Sequence, residues 1–196
     1  MRGFLGRRMD SLLTDRLFLR RWLPADRAPF AQLNRDPAVM EFMPALLSTE
    51  ESSRFVDRIE AHFEQHGFGL WAADLRKSSE FIGYIGLAIP RFESAFTPCT
   101  EIGWRLASAY WGRGLATEGA RAVLRHAFLS LGLPALVSFT VPANIRSRRV
   151  MEKIGMTRDP REDFDHLLLP EGHPLRRHLL YRLDRATWAA GYCTIP

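Results

Sequence analysis

The chain has 196 residues, 46% of them hydrophobic, which is enough to bury a sizeable core within one domain. Its longest apolar runs, such as residues 81–90, are too short to span a membrane, and the N-terminus lacks the hydrophobic stretch of a signal peptide, so a cytoplasmic protein without a membrane partner is expected. A net charge of +5 and a pI near 9.8 invite a nucleic-acid reading, but the 27 basic residues are arginines except for Lys77 and Lys153, lie scattered, and have no interleaved aromatics, so no nucleic-acid partner is expected.

In chain order, residues 1–13 read as a flexible lead. Residues 17–22 read as a first strand, Pro24 and Asp26 open a short helix, and Pro37 and Pro44 break the helical region that follows. Ser48 with Glu51 three residues on forms a capping box, and Phe55, Ile59 and Phe63 recur every four residues, which predicts a helix over 49–65 ended by Gly67. His62 and His66 lie four apart on it, but Phe63 stands where a zinc-protease helix has Glu and no third ligand accompanies them, so they read as a solvated helix end and no metal is expected. Residues 68–75 and 81–89 read as strands paired around a polar turn at 76–79, with Gly83 and Gly86 pointing to irregular packing. Cys99 and Cys193 carry no metal spacing and read as free thiols.

Residues 100–106 alternate in the period of a strand, while Ala116, Ala120, Val123, Leu124, Ala127, Phe128 and Leu131 recur at helical spacing. Between them lies a turn containing Gly112 and Gly114. Such a turn sits at a helix N-terminus, whose unpaired N–H groups and dipole can hold a phosphate. The residues after Gly114 are Leu115, Ala116 and Thr117, not the Lys-Ser/Thr of a nucleoside-triphosphatase loop, and the turn comes too late in the chain for a dinucleotide fingerprint. The helix ends at Gly132, and residues 135–141 form a β-branched strand, completing a strand–helix–strand crossover that puts Asn144 and the turn on one sheet edge. A short helix over 147–154, stopped by Gly155, a Pro-rich loop over 169–174, a last strand over 178–184 and a tail over 189–196 complete the reading.

Ala109 to Gly114 resembles the phosphate turn Gln/Arg-x-x-Gly-x-Gly/Ala of the acetyl-coenzyme A-dependent N-acetyltransferases of the GNAT superfamily, with Ala109 departing from its leading Gln/Arg. Tyr110 to Glu118 is similar to the ribosomal-protein N-terminal acetyltransferase (RimJ/RimL-like) branch, and Asn144, Ser147 and the Glu-Lys-x-Gly ending at Gly155 resemble its second cofactor segment. The resemblance covers residues 14–188 and implies an α/β fold: a mixed, splayed sheet flanked by helices in one domain. It also implies acetyl transfer to a primary amine, either a peptide N-terminus or a small amine, with a homodimer as the family's frequent assembly.

By that resemblance the cofactor's phosphates meet the turn at Trp111, Gly112, Arg113, Gly114, Leu115, Ala116 and Thr117, and its pantetheine arm pairs with Ile102, Gly103 and Trp104. Asn144 would bond the pantetheine amide, or else cap the following helix. Ser147 would donate a proton to the sulfur, and Glu101 would serve as base. Glu118 reads as a carboxylate favouring its own helix dipole. Trp22, Trp71 and Trp188 read as core or substrate wall, and residues 37–47 and 164–174, with His166, His173 and His178 in or near the latter, as walls of the acceptor cleft. A coenzyme A-binding protein without turnover is the alternative from a different class.

Overall fold

A computed structural model of the protein describes residues 11–192, so Cys193 lies outside the described residues. In chain order the elements are β1 (Ser11–Leu13), β2 (Leu17–Arg20), α1 (Arg27–Leu33), α2 (Pro37–Met40), α3 (Thr49–His66), β3 (Leu70–Leu75), β4 (Glu80–Ala88) and β5 (Glu101–Leu106). They continue with α4 (Leu115–Arg125), β6 (Ala135–Thr140), α5 (Ile145–Lys153), β7 (Thr157–Arg158), β8 (Phe164–Asp165), β9 (Arg177–Asp184) and α6 (Arg185–Tyr192). All nine strands join one sheet in the order β1-β2-β3-β4-β5-β6-β9-β7, with β8 also on β9. Every pairing is antiparallel except β5 with β6, which run parallel and hold one pair in register, Glu101 with Val137. Past that pair the two strands part. This is the single-domain, mixed and splayed α/β fold that the motifs imply.

The chain enters the sheet at Ser11, inside the stretch expected as a flexible lead, because Ser11–Leu13 pairs with β2. At the other end α6 runs to Tyr192, through residues expected as tail. Helix α3 starts on the Ser48–Glu51 capping box and stops at Gly67, where φ is 76°. Helix α4 lies close on the sheet because Gly119 has no side chain: a Cβ there would be 2.3 Å from Ile85 Cδ1. Beyond Arg125 the helix widens into a π-turn over His126–Ser130 that buries His126 beside the fully buried Trp71. Trp22 is buried too, its indole N–H donating to the Leu70 carbonyl, and Trp188 packs on Phe128, so all three tryptophans serve the core.

A long-range polar contact replaces a simpler sequence reading. His62 is not at a solvated end: the Ile89 N–H donates to Nε2 at 3.1 Å, which leaves the proton on Nδ1 to donate to the Phe68 carbonyl at 2.8 Å. Burial holds its pKa below the ordinary value. Arg20 lies between two carboxylates, giving paired hydrogen bonds to Asp26 and to Asp74 at 2.6–2.9 Å. Asp26 and Asp74 are both buried, so the adjacent arginines in the sequence are structural, Arg21 likewise binding Glu60 and Glu64.

Gly83 fixes the join of β4 to β5. Its φ is 134°, and a Cβ would stand 2.1 Å from the Arg105 carbonyl oxygen, which is backbone and cannot swing aside. Gly83→Ala is expected to lose roughly 2 kcal/mol or more of stability in urea unfolding, from strain and overpacking together. A loss below about 0.5 kcal/mol, the level of ordinary surface changes, would show that the strand relaxes freely. Among the described residues no helix is long and apolar enough to cross a membrane.

Candidate active site

The parting of β5 and β6 opens a cleft of about 400 Å³. The Val137 N–H donates to the Thr100 carbonyl, so the pleat aims the backbone polar groups of alternate residues, Ile102, Trp104 and Leu106, toward β6. Leu106 is satisfied there by the Trp111 indole N–H, which donates to its carbonyl at 2.8 Å. Trp104, past the registered pair, turns its amide and carbonyl into the gap.

Gly112 and Gly114 adopt the left-handed conformation, with φ of 70° and 77°, and this reverses the chain from β5 into α4. Gly114 is the N-cap and supplies no side chain, so the amides of Leu115, Ala116 and Thr117 face the cleft without a side-chain cap. Arg146, Arg149 and Lys153 of α5 stand on the same cleft, and among the described residues no acidic one lines it. Uncapped amides with nearby cations suit the phosphates of a coenzyme, and the open backbone of Trp104 suits an amide-bearing arm.

Of the residues read from the sequence, Trp104, Trp111, Gly112, Gly114, Leu115, Ala116, Thr117, Asn144 and Ser147 line this cleft. Arg113, Glu101, Ile102 and Gly103 do not. The Arg113 side chain lies 5.5 Å from the Tyr110 ring, while its carbonyl accepts from Arg16. Ile102 is fully buried. Glu101 lies over Gly103, its Oε1 3.7 Å from where a Cβ would stand, and burial pushes its pKa up to about 8. Among the described residues it makes no hydrogen bond or ion pair.

Asn144 is the N-cap of α5: its Oδ1 accepts from the Ser147 N–H at 3.2 Å, and its Nδ2 donates to Thr140 Oγ1 at 3.0 Å. The amide thereby holds Ser147 at the cleft, and among the described residues the Ser147 hydroxyl makes no hydrogen bond. Glu118 stands in the first turn of α4 and also reaches beyond its own helix. It accepts from the Thr14 hydroxyl, the Arg16 amide and the Arg16 guanidinium, tying α4 to the start of β2. Burial opposes its charge, but those bonds outweigh it and keep the carboxyl below its usual range.

Residues 38–43 supply one wall of the cleft, as read, whereas residues 164–174 take no part in its lining. Phe164 and His166 instead pack with Phe92, Phe96, Phe139 and His178 into a separate aromatic cluster. Sequence reasoning missed Arg105, whose guanidinium reaches the cleft; the alternation of β5 placed it on the Glu101 face, but nothing local marked it. Arg146 was missed as well. It crosses the cleft mouth, pairing with Glu41 and stacking 4.3 Å over Trp111.

A splayed parallel pair, an uncapped helix behind a two-glycine turn and an open strand backbone define a coenzyme-binding acyltransferase. Residues 16–157 match the family described as Acetyltransferase (GNAT) domain, and the chain belongs to that family. It is 30% identical over 179 residues to the uncharacterized N-acetyltransferase YnaD of Bacillus subtilis, covering 90% of this chain and 98% of that protein. The acetyltransferase structure from Agrobacterium tumefaciens superposes with a TM-score of 0.73 at 31% identity, over 94% of this chain and 99% of that one. Mycobacterium smegmatis RimJ in complex with CoA-disulfide shares the fold, with a TM-score of 0.68 at 19% identity over 90% of this chain and 89% of that one. The protein is thus an acetyltransferase whose fold binds acetyl-coenzyme A.

Proposed function

We propose that the protein acetylates the α-amine of a peptide or protein N-terminus, the chemistry of the RimJ/RimL-like branch that its motifs resemble. The observation that carries the reading is the convergence of the α4 amides, the open Trp104 backbone and Ser147 on one cleft, with Glu101 behind it. The coenzyme supplies a thioester ready for attack. The phosphate turn holds its charged end, and Trp104 pairs with its amide arm. Glu101 takes the ammonium's proton through water, the amine nitrogen attacks the carbonyl carbon, and Ser147 gives its proton to the sulfur as the C–S bond breaks, regaining one from the nitrogen that becomes the amide.

The pKa of Glu101 favours an α-amine. A carboxyl at about 8 matches an α-amine near 7.7–8.0, whereas a lysine amine near 10.4 lies about two units out of reach. Cys99 supports direct transfer, because burial, with Glu101 adding to it, pushes its thiol up to about 11 and leaves little thiolate to carry an acetyl group. The reading is of a cytoplasmic enzyme acting without metal or nucleic acid.

Thiol release from acetyl-coenzyme A against N-terminal peptides, amino acids, polyamines and aminoglycosides tests it. Ser147→Ala is expected to lower kcat roughly 10- to 100-fold with the coenzyme Kd unchanged. An unchanged kcat removes Ser147 from the chemistry. Coenzyme binding without thiol release from any acceptor identifies a non-catalytic coenzyme A-binding protein.

A further inference from the structure

Arg105 is the cleft residue that the transfer chemistry leaves unused. The pleat of β5 puts it on the same sheet face as Glu101, with Gly103 between them offering no side chain, and four strand residues set the two Cα atoms about 13 Å apart. Its guanidinium has only neutral company. Nη1 donates to Asn34 Oδ1 at 2.7 Å, Nη2 lies 3.2 Å from Met43 Sδ, and the rings of Phe55 and Tyr84 are 5.8 and 5.6 Å away. Its Nε is buried without a partner.

The inward arginines of β2 and the loop after it meet carboxylates: Arg20 pairs with Asp26 and Asp74, and Arg21 with Glu60 and Glu64. Among the described residues Arg105 forms none. Burying the Nε without a partner is costly, and the half-buried guanidinium is also held in place. Asn34 is fully buried and its Nδ2 donates to Ser52 Oγ at 3.1 Å, which turns its oxygen toward the arginine. A fixed, uncompensated guanidinium facing a cleft is a receptor for a planar anion.

The coenzyme's phosphates do not need it. They have the α4 amides and the cations of α5, whereas Arg105 stands with Val39 and Met43 near the acceptor wall. We infer that Arg105 recognises a side-chain carboxylate on the acceptor, so that the amine acetylated belongs to an acidic amino acid or to a peptide with an acidic residue at or next to its N-terminus. This rests on the acetyl-transfer reading and narrows it. A cleft lined by cations and, among the described residues, no acid disfavours polyamines and aminoglycosides, which bring their own positive charge.

The test uses isosteric acceptor pairs that differ in charge: aspartate with asparagine, glutamate with glutamine, and peptides beginning or continuing with each, beside spermidine. Their kcat/KM is measured at saturating acetyl-coenzyme A on the wild type, Arg105→Gln, Arg105→Lys and Asn34→Asp, the last supplying an internal counter-charge should Arg105→Gln fail to fold. The wild type is expected to prefer the acid of at least one pair roughly tenfold or more. Arg105→Gln and Asn34→Asp erase that preference through KM, Arg105→Lys keeps part of it, and the acetyl-coenzyme A Kd stays constant throughout.

A preference for the amide or for spermidine, or an acid preference that survives both variants, overturns the inference. So does a loss confined to coenzyme affinity, which would assign Arg105 to the cofactor. The same pairs titrated into the coenzyme A-bound protein, followed by Trp104 and Trp111 fluorescence, separate the two readings. Arg105-dependent binding of acids without thiol release keeps the carboxylate site and removes acetyl transfer; thiol release without Arg105-dependent discrimination does the reverse. Acids that neither bind nor react remove the carboxylate site.

Discussion

Replacing Glu101 with glutamine is expected to lower kcat/KM roughly 100-fold or more, the range of a lost general base. The wild-type rate should climb as the pH rises through about 8, where the half-buried carboxyl ionises. The acceptor amine titrates near the same pH, so the variant's profile decides: with Glu101→Gln the remaining limb should follow the amine pKa of each acceptor. A rate within about threefold of wild type would exclude Glu101 from proton transfer, since even weak general-base catalysis exceeds that.

Stability supplies an independent readout of the same carboxyl. Its folded pKa of about 8 lies above the ordinary 4.5, so the folded state holds the proton more tightly than the unfolded one. The favourable contribution is complete below about pH 4.5 and gone once the pH has risen through about 8. Glu101→Gln should therefore melt several degrees above wild type at pH 8.5 and level with it at pH 4. Equal melting at both would show that the carboxyl is well solvated, and the base role would lose its physical ground.

Arg20→Met should have the largest effect on stability. It leaves the side chains of Asp26 and Asp74, which are 4% and 8% exposed, facing each other without the arginine that bonds both. Removing one partner of a buried ionic network costs about 3–5 kcal/mol, because the remaining charges lie uncompensated out of water. Burial already lifts Asp74 above its usual range and Arg20 pulls against that, so without Arg20 the carboxyl should rise further. The deficit is then greatest at neutral pH and shrinks on acidification, as protonation discharges the pair. Urea unfolding at pH 7 and pH 4.5 measures both, and a loss under about 1 kcal/mol at pH 7 would mean that the pocket admits water freely.

The features readable in the sequence are those written by neighbouring residues. The Ser48–Glu51 box, the stop at Gly67 and the two-glycine turn into α4 each obey a rule spanning a few positions, and each stands where it was read. Strands of two or three residues, such as β1, β7 and β8, are too short to show a period, and the π-turn at His126 keeps the apolar spacing of a helix. The polar contacts that shape the site are non-local. Arg105 meets Asn34 across 71 positions and Glu118 meets Arg16 across 102, so neither pairing leaves a local signature.

A β-sheet ordinarily carries its unsatisfied rungs on its two outer strands, where a neighbouring protein can zip onto them. Here missing rungs lie in the middle, between β5 and β6. Only a slender, peptide-like guest can slot in, acting as a surrogate strand that a folded protein is too bulky to imitate. Because main chain does the holding, the side chains along β5 are released from that duty, and positions such as 101 and 105 are free to be shaped by whatever molecule arrives from the other side.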